Sequence, residues 1–299
     1  MTREMINQRL EEAVKNGTLI MAHRGVRGGN ITDNTLESYE VALRQGADIL
    51  EVDVFRSLDG KLFVFHDGTE PYMLLSNDKV LQMTSEQIEQ LRLVNKIGTR
   101  LDHKIQTLDE VLERFKGRCL INLDRCWDCW DDVFKCVLKH DMADQIIFKS
   151  APKREYLELL EEQEIPFMYM PIIWYPEELD EIDTSKINMV AVEFIGHSED
   201  AEIMQREFIS GLKEKNIHCM ISALTLGNPV YQPEKWIKRG IKNVVDGNIY
   251  LAAGHDDDVS ILDSPDKGWG WLIDVGFDII QTDWTRELSL YLNERKKNG

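Results

Sequence analysis

The chain has 299 residues, 43% of them hydrophobic, and carries 53 acidic against 35 basic side chains for a formal net charge of −18. That length suits either two domains or one large α/β barrel, with ample apolar content for a core. So acidic a field repels phosphate backbones and anionic bilayers, which makes nucleic-acid binding and electrostatic docking on anionic membranes poor default readings; stable membrane insertion is not expected either, for want of an apolar run, and an anionic small substrate is left only where a cation or local Arg and Lys reverse the field.

Residues 4–16 read as a helix stopped by Gly17. From there, short β-branched and aromatic runs alternate with amphipathic stretches. The predicted strands are 18–23, 48–54, 118–124, 145–149, 166–171, 188–194, 217–222 and 277–282. Helices are predicted at 34–45, 107–116, 129–139, 152–163, 199–214, 233–239 and 266–275, with a last one at 285–296. Nearly continuous apolar strands separated by helices predict a parallel sheet covered on both faces. Eight such repeats, with no Gly-x-Gly-x-x-Gly after the first strand, favour a closed (β/α)8 TIM barrel over an open sheet. No linker divides the chain, so residues 1–299 are expected to form a single domain. Residues 57–105 are too many for a simple βα loop and predict an insertion on the catalytic face, with an extra strand at 62–65 and a short helix near 85–92.

No apolar run approaches a transmembrane length. The start, Met1-Thr2-Arg3-Glu4-Met5, lacks a charged-then-apolar signal pattern, so a cytoplasmic protein is expected. Five cysteines, an odd number, argue for free thiols. Cys126-x-x-Cys129 invites a zinc reading, but Cys119 belongs to a strand while Cys129 and Cys136 belong to a helix, so buried thiols are the better expectation. Nothing in the sequence specifies an oligomeric state.

Chemistry in such a barrel sits at the C-terminal ends of the strands. There the sequence has Ala22-His23-Arg24-Gly25, Glu51-Val52-Asp53, Phe65-His66-Asp67, Asn122-Leu123-Asp124, Phe148-Lys149-Ser150, Val192-Glu193 and Thr282-Asp283-Trp284. Glu51 and Asp53 are two apart and so point to the same side of their strand, into the barrel. Two carboxylates side by side in a dry interior repel, and a hard divalent cation removes that cost. Asp124 could supply a third oxygen, and three carboxylates suit Mg2+ or Ca2+ rather than zinc. His23 and His66 can share general acid and base work, and Arg24 offers a planar fork to phosphate oxygens. Arg24, Lys149, Glu193 and Trp284 are the candidate substrate contacts. A cation, an Arg and two His around one cleft point to phosphodiester cleavage or phosphoryl transfer.

Leu19-Ile20-Met21-Ala22-His23-Arg24-Gly25, Asn34-Thr35-Leu36-Glu37-Ser38-Tyr39, Gly46 to Val54, Ser57-Leu58-Asp59-Gly60, Phe63 to Asp67, Thr107 to Leu112 and Gly276 to Asp283 together resemble the glycerophosphodiester phosphodiesterase family. The resemblance implies a barrel with a small insertion and one divalent cation at the Glu51 and Asp53 positions. It also implies acid–base chemistry at His23 and His66, phosphate contact by Arg24, and cleavage of a small glycerophosphodiester to glycerol 3-phosphate and an alcohol. Four departures stand out. Thr32-Asp33 replaces a common Pro-Glu. Asp124-Arg125-Cys126 replaces Glu-x-Lys, so the third ligand is one methylene short and the lysine is gone. The stretch Ile221 to Asn228 lacks the Trp-Thr pair of many relatives. Trp284 follows Thr282-Asp283 where a small or basic residue is usual. By strand parity Arg125 points away from the site, while Lys149 could restore the lost charge. Two alternatives are a phospholipase D of the sphingomyelinase type, and a degenerate barrel that only binds.

Overall fold

The computed structural model describes residues 1–225, 244–245, 248–249 and 251–298. The helix expected at 233–239 and the end of the 221–228 stretch lie outside the described residues.

Chain order is α1 (Arg3–Val14), β1 (Leu19–Ala22), α2 (Leu36–Arg44), β2 (Ile49–Arg56), β3 (Leu62–Val64), α3 (Glu70–Met73), α4 (Ser85–Gln90), α5 (Leu108–Phe115), β4 (Leu120–Asp124), α6 (Trp130–Lys139) and β5 (Ile146–Ser150). It continues with α7 (Arg154–Glu161), β6 (Met168–Ile173), β7 (Asn188–Met189), β8 (Ala191–Phe194), α8 (Arg206–Lys213), β9 (His218–Ser222), β10 (Val244–Val245) and β11 (Asn248–Ile249). The last elements are α9 (Asp257–Leu262), a π turn at Asp266–Gly270, α10 (Trp271–Val275), β12 (Ile279–Thr282) and α11 (Thr285–Asn298).

Hydrogen bonding runs β1-β12-β9-β8-β6-β5-β4-β2, and β2 pairs back onto β1, so eight parallel strands close into a barrel. All eight predicted strands are present. The expected strand 188–194 is interrupted at Val190, whose two flanking pieces both pair with β6. The expected helix 199–214 begins as a 3-10 turn at Glu202–Met204 before α8. Ile6 and Leu10 of α1 are fully buried, and α1 bonds to the N-terminal ends of the strands through Asn7 to Asn188 (3.1 Å), Arg9 to Asp144 (3.3 Å) and Glu11 to His218 (3.3 Å). It therefore covers the end of the barrel opposite the predicted site.

The register fixes the interior. Glu51 pairs with Asn122, and Asp53 with Asp124. These inward residues follow the two-residue period of a strand, and adjacent strands lie only about 4.8 Å apart. At the upper end of β2 the chain reverses through Ser57-Leu58-Asp59-Gly60, and β3 returns antiparallel with Val54 opposite Val64. The insertion carries its own core of Phe55, Phe63, Phe65, Leu74, Val80, Ile88, Leu93 and Ile105. No helix among the described residues is long and apolar enough to cross a membrane.

In the acidic run His255-Asp256-Asp257-Asp258 one carboxylate is buried. Asp256 caps α9, while Asp257 is 2% exposed and accepts hydrogen bonds from Trp269 Nε1 (2.8 Å), Thr282 Oγ1 (2.7 Å) and the Asp283 backbone N–H (2.9 Å). Burial pushes its carboxyl up to about 7 against the pull of those three donors. Deleting it orphans a buried indole N–H and a backbone N–H. Asp257→Ala should therefore cost about 3 kcal/mol by urea denaturation, whereas Asp258→Ala, on the exposed side of the same turn, should stay within about 0.5 kcal/mol of wild type.

Candidate active site

Glu51 and Asp53 are each 1% exposed, at the level where β2 meets the barrel mouth. Each is held by groups brought in from the loop after β1. Arg24 has a left-handed backbone (φ 56°), which turns its N–H onto Glu51 Oε2 (2.9 Å) and its Nε onto Asp53 Oδ2 (2.9 Å). Gly25 follows at φ 77°, and a Cβ there would lie within 2.8 Å of Ser38, so only glycine fits. Asn34, also left-handed at φ 55°, donates through Nδ2 to Asp53 Oδ2 (2.8 Å). Its Oδ1 accepts from Tyr39 OH (2.8 Å) and from the Asp53 N–H (3.2 Å).

Asp124 completes an acidic cluster. Carboxylate oxygens of Glu51, Asp53 and Asp124 lie within 4.8 Å of one another, so the shorter side chain still reaches. Beside it, on the next strand, sits Lys149, only 2% exposed, with Nζ 2.9 Å from Asp124 Oδ2 and 3.1 Å from Glu193 Oε2. Lys149 and Glu193, both expected from sequence to contact substrate, pair with each other, and Lys149 pairs with Asp124 as well. Burial would discharge the ammonium, but Asp124, Glu193 and Glu51 more than offset it and raise its pKa.

The two central carboxyls are driven apart. Burial, then Asp53, pushes the Glu51 carboxyl well above the usual range. Burial acts on Asp53 too, but Arg24, His66, Asn34 and His23 together hold it below its ordinary value. Four carboxylates here (Glu51, Asp53, Asp124, Glu193) face two fixed cations, Arg24 and Lys149. With all four ionised the cluster is two positive charges short, and one divalent cation on these hard oxygen donors would supply them and remove the pressure that drives the Glu51 carboxyl up.

Both histidines stand at this mouth. His23 follows β1, and its Nδ1 lies 2.9 Å from Asp283 Oδ1. Asp283 is further bound by Arg27 (3.3 Å), which also holds Asp33 (3.1 Å), and its backbone N–H is fixed by Asp257. Burial notwithstanding, His23 and the two arginines keep the Asp283 carboxyl below its ordinary value. His66 follows β3, anchored where the Phe65 N–H donates to Asp53 O (3.0 Å). Its Nδ1 is buried without a partner among the described residues, and burial, with Arg24 and Arg125, pushes the ring below the usual histidine value. Trp284 is 40% exposed beside this mouth.

Arg125 departs from the parity expectation. Its backbone is left-handed (φ 60°), so alternation ends at Asp124, and the guanidinium turns to Asp67 (2.7 Å) beside His66. Cys126 is fully buried in the core, and all five cysteines are free and buried. The roles of Asn34, Asp257 and Asp283 escaped sequence reasoning. Asn34 stood in the Asn34 to Tyr39 motif and Asp283 at a strand end, while Asp257 had no local signal.

A family model described as the glycerophosphoryl diester phosphodiesterase family matches residues 23–221. A second, described as a domain of unknown function, matches residues 169–292. A glycerophosphodiester phosphodiesterase of Caldanaerobacter subterraneus subsp. tengcongensis is 37% identical over 109 residues, which is 36% of this chain and 44% of that protein. The match therefore spans less than half of that relative's length. A glycerophosphoryl diester phosphodiesterase from Parabacteroides distasonis superposes with a TM-score of 0.70 at 22% identity, covering 93% of this chain and 87% of the other. An Oleispira antarctica phosphodiesterase in complex with the product sn-glycerol-3-phosphate does so at 0.62 and 16%, covering 94% and 99%. At such identities the likeness to the solved structures is one of fold.

The buried ion-pair chain is directly testable. Lys149→Met would leave Asp124 and Glu193 without their cation, and removing one partner of a buried pair costs about 3–5 kcal/mol. Urea denaturation followed by tryptophan fluorescence should show a loss of that size.

Proposed function

This chain belongs to the glycerophosphoryl diester phosphodiesterase family, and on that premise we propose that it hydrolyses a glycerophosphodiester to glycerol 3-phosphate and an alcohol in a cation-dependent reaction. The observation that carries this reading is the convergence of two histidines and Arg24 on a buried cluster in which four carboxyl groups face two fixed cations. The product complex of the Oleispira relative fits the same substrate class. Residues 1–299 would act as one catalytic unit, with the insertion at 57–105 forming the rim of the cleft.

Glu51, Asp53 and Asp124 would hold the cation, Mg2+ or Ca2+, which when bound would polarise the phosphoryl group and neutralise charge growing on its oxygens. Arg24 keeps its Nε edge on Asp53 and has its terminal nitrogens left for a phosphate oxygen. His66, whose ring burial holds below the usual histidine value, accepts the proton of the attacking hydroxyl, which is either a water, giving glycerol 3-phosphate directly, or the glycerol 2-hydroxyl, giving a cyclic phosphate that a water then opens to glycerol 3-phosphate. His23 delivers a proton to the leaving alkoxide. Asp283 orients its ring through Nδ1, so that Nε2 is the nitrogen free for chemistry. Lys149 and Glu193 serve as supports of Asp124 and not as substrate contacts, while Trp284 offers an exposed ring to the alcohol portion.

The test is a panel of glycerophosphodiesters, glycerophosphocholine among them, assayed for glycerol 3-phosphate with Mg2+ or Ca2+ and with EDTA. Turnover should vanish with EDTA, and His66→Ala should lower kcat by roughly 10²–10⁴-fold. Activity that survives both removes this site from the reaction, and no turnover on any diester favours a barrel that only binds. Asp283→Asn should lower kcat with little change in KM, since it misorients a proton donor without touching the phosphate cradle.

A further inference from the structure

A second ligand cluster lies away from the mouth, on the outer ring where α5 and α6 touch. Cys136 and His140 are four residues apart, so they share one face of the α6 helix and its cap. Asp109, in the first turn of α5, faces both. Its Oδ1 lies 2.6 Å from His140 Nε2 and 3.8 Å from Cys136 Sγ, and all three donor atoms lie within 4.8 Å of one another.

The donor chemistry differs from that of the mouth. A thiol, an imidazole and one carboxylate suit a borderline cation such as Zn2+, not Mg2+ or Ca2+. Tetrahedral zinc bonds of about 2.0–2.3 Å set neighbouring ligand atoms roughly 3.3–3.8 Å apart. The thiol–carboxylate spacing already falls close to that range. The imidazole–carboxylate contact would have to open by roughly 0.7–1.2 Å, which the half-exposed Asp109 side chain can supply by a rotation. Cys136 and His140 are largely covered, while Asp109 faces solvent, so an ion has an entry path and a fourth position for water. The Lys139 ammonium shares the same Asp109 oxygen at 2.6 Å, on a side chain 66% exposed and free to leave.

We propose that Asp109, Cys136 and His140 form a zinc-class site that clips α5 to α6, independent of the cation site in the barrel mouth. On binding, the Cys136 thiol gives its proton to solvent. The thiolate sulfur, His140 Nε2 and an Asp109 oxygen bond to the ion, and Lys139 turns away. No electron changes hands. The helical Cys-x-x-x-His pattern carries the site. The Cys126-x-x-Cys129 pair, which the spacing first brings to mind, forms no such cluster among the described residues.

The experiment is a Co2+ titration of the full chain after EDTA treatment and dialysis, read by absorbance. Wild type and Glu51→Gln should both develop a thiolate-to-cobalt charge-transfer band, with the visible bands of tetrahedral cobalt, and Zn2+ should erase them. Cys136→Ser and His140→Gln should lose the charge-transfer band. Cys136 is buried and its replacement could disturb folding, so Lys139→Gln provides a test on the exposed side. By removing a competing cation it should tighten Co2+ binding several-fold. Absence of the charge-transfer band in wild type, its survival in Cys136→Ser, or no tightening in Lys139→Gln would each overturn the proposal.

Discussion

Burying Glu51 and Asp53 side by side is the constraint from which the rest of this site follows. Two carboxylates in a medium of low dielectric are costly unless hydrogen bonds and opposite charges meet them. The chain meets them with the Arg24 backbone and guanidinium and with Asn34, all on the loop after β1. That loop must turn twice through left-handed residues, at Arg24 and Asn34, with Gly25 packed on Ser38 between them. Backbone strain of this kind persists only where the surroundings over-determine it, and here two buried carboxylates do so.

The same constraint explains the insertion. β3 runs back along β2 so that the Phe65 N–H reaches the Asp53 carbonyl, which sets His66 over the carboxylate cluster. An apolar core within the insertion makes that hairpin stiff. On the other side, Asp257 fixes the end of β12, Asp283 follows, and His23 is oriented by it. The two rings are therefore supported differently. One is braced by a carboxylate chain that starts in a buried turn, and the other is desolvated, with one nitrogen unpaired among the described residues.

The barrel and its inward carboxylates were legible because both rest on short-range periodicity. Apolar runs separated by helical stretches give strand number, and a spacing of two gives the side of Glu51 and Asp53. Parity failed at Arg125, since alternation holds only while the backbone stays extended, and φ turns positive one residue beyond the strand. Asp257 was unreadable for a different reason. Its three donors lie from 12 to 26 residues away, and an Asp within an acidic run has no local mark of burial. Asn34 stood in a recognisable motif, but its bond to Asp53 depends on a left-handed turn that residue types alone do not specify.

Lys149 places a positive charge next to Asp124 in a chain whose motif position for lysine is held by a cysteine. Where the resembled motif has a lysine two residues after the third ligand, this chain has Cys126, buried in the core. Residues i and i+2 on one strand are separated by about 6.6 Å, while neighbours at the same level on adjacent strands are only about 4.8 Å apart. A lysine on the next strand, two residues past Ile147 and facing the same side as Asn122, is therefore nearer to Asp124 than the motif position would be. The ion pair it makes at 2.9 Å, extended to Glu193 at 3.1 Å, keeps positive charge at the side of the acidic cluster. What the cluster requires is a fixed cation within reach on the inward face, and in a closed parallel barrel several strands can supply it.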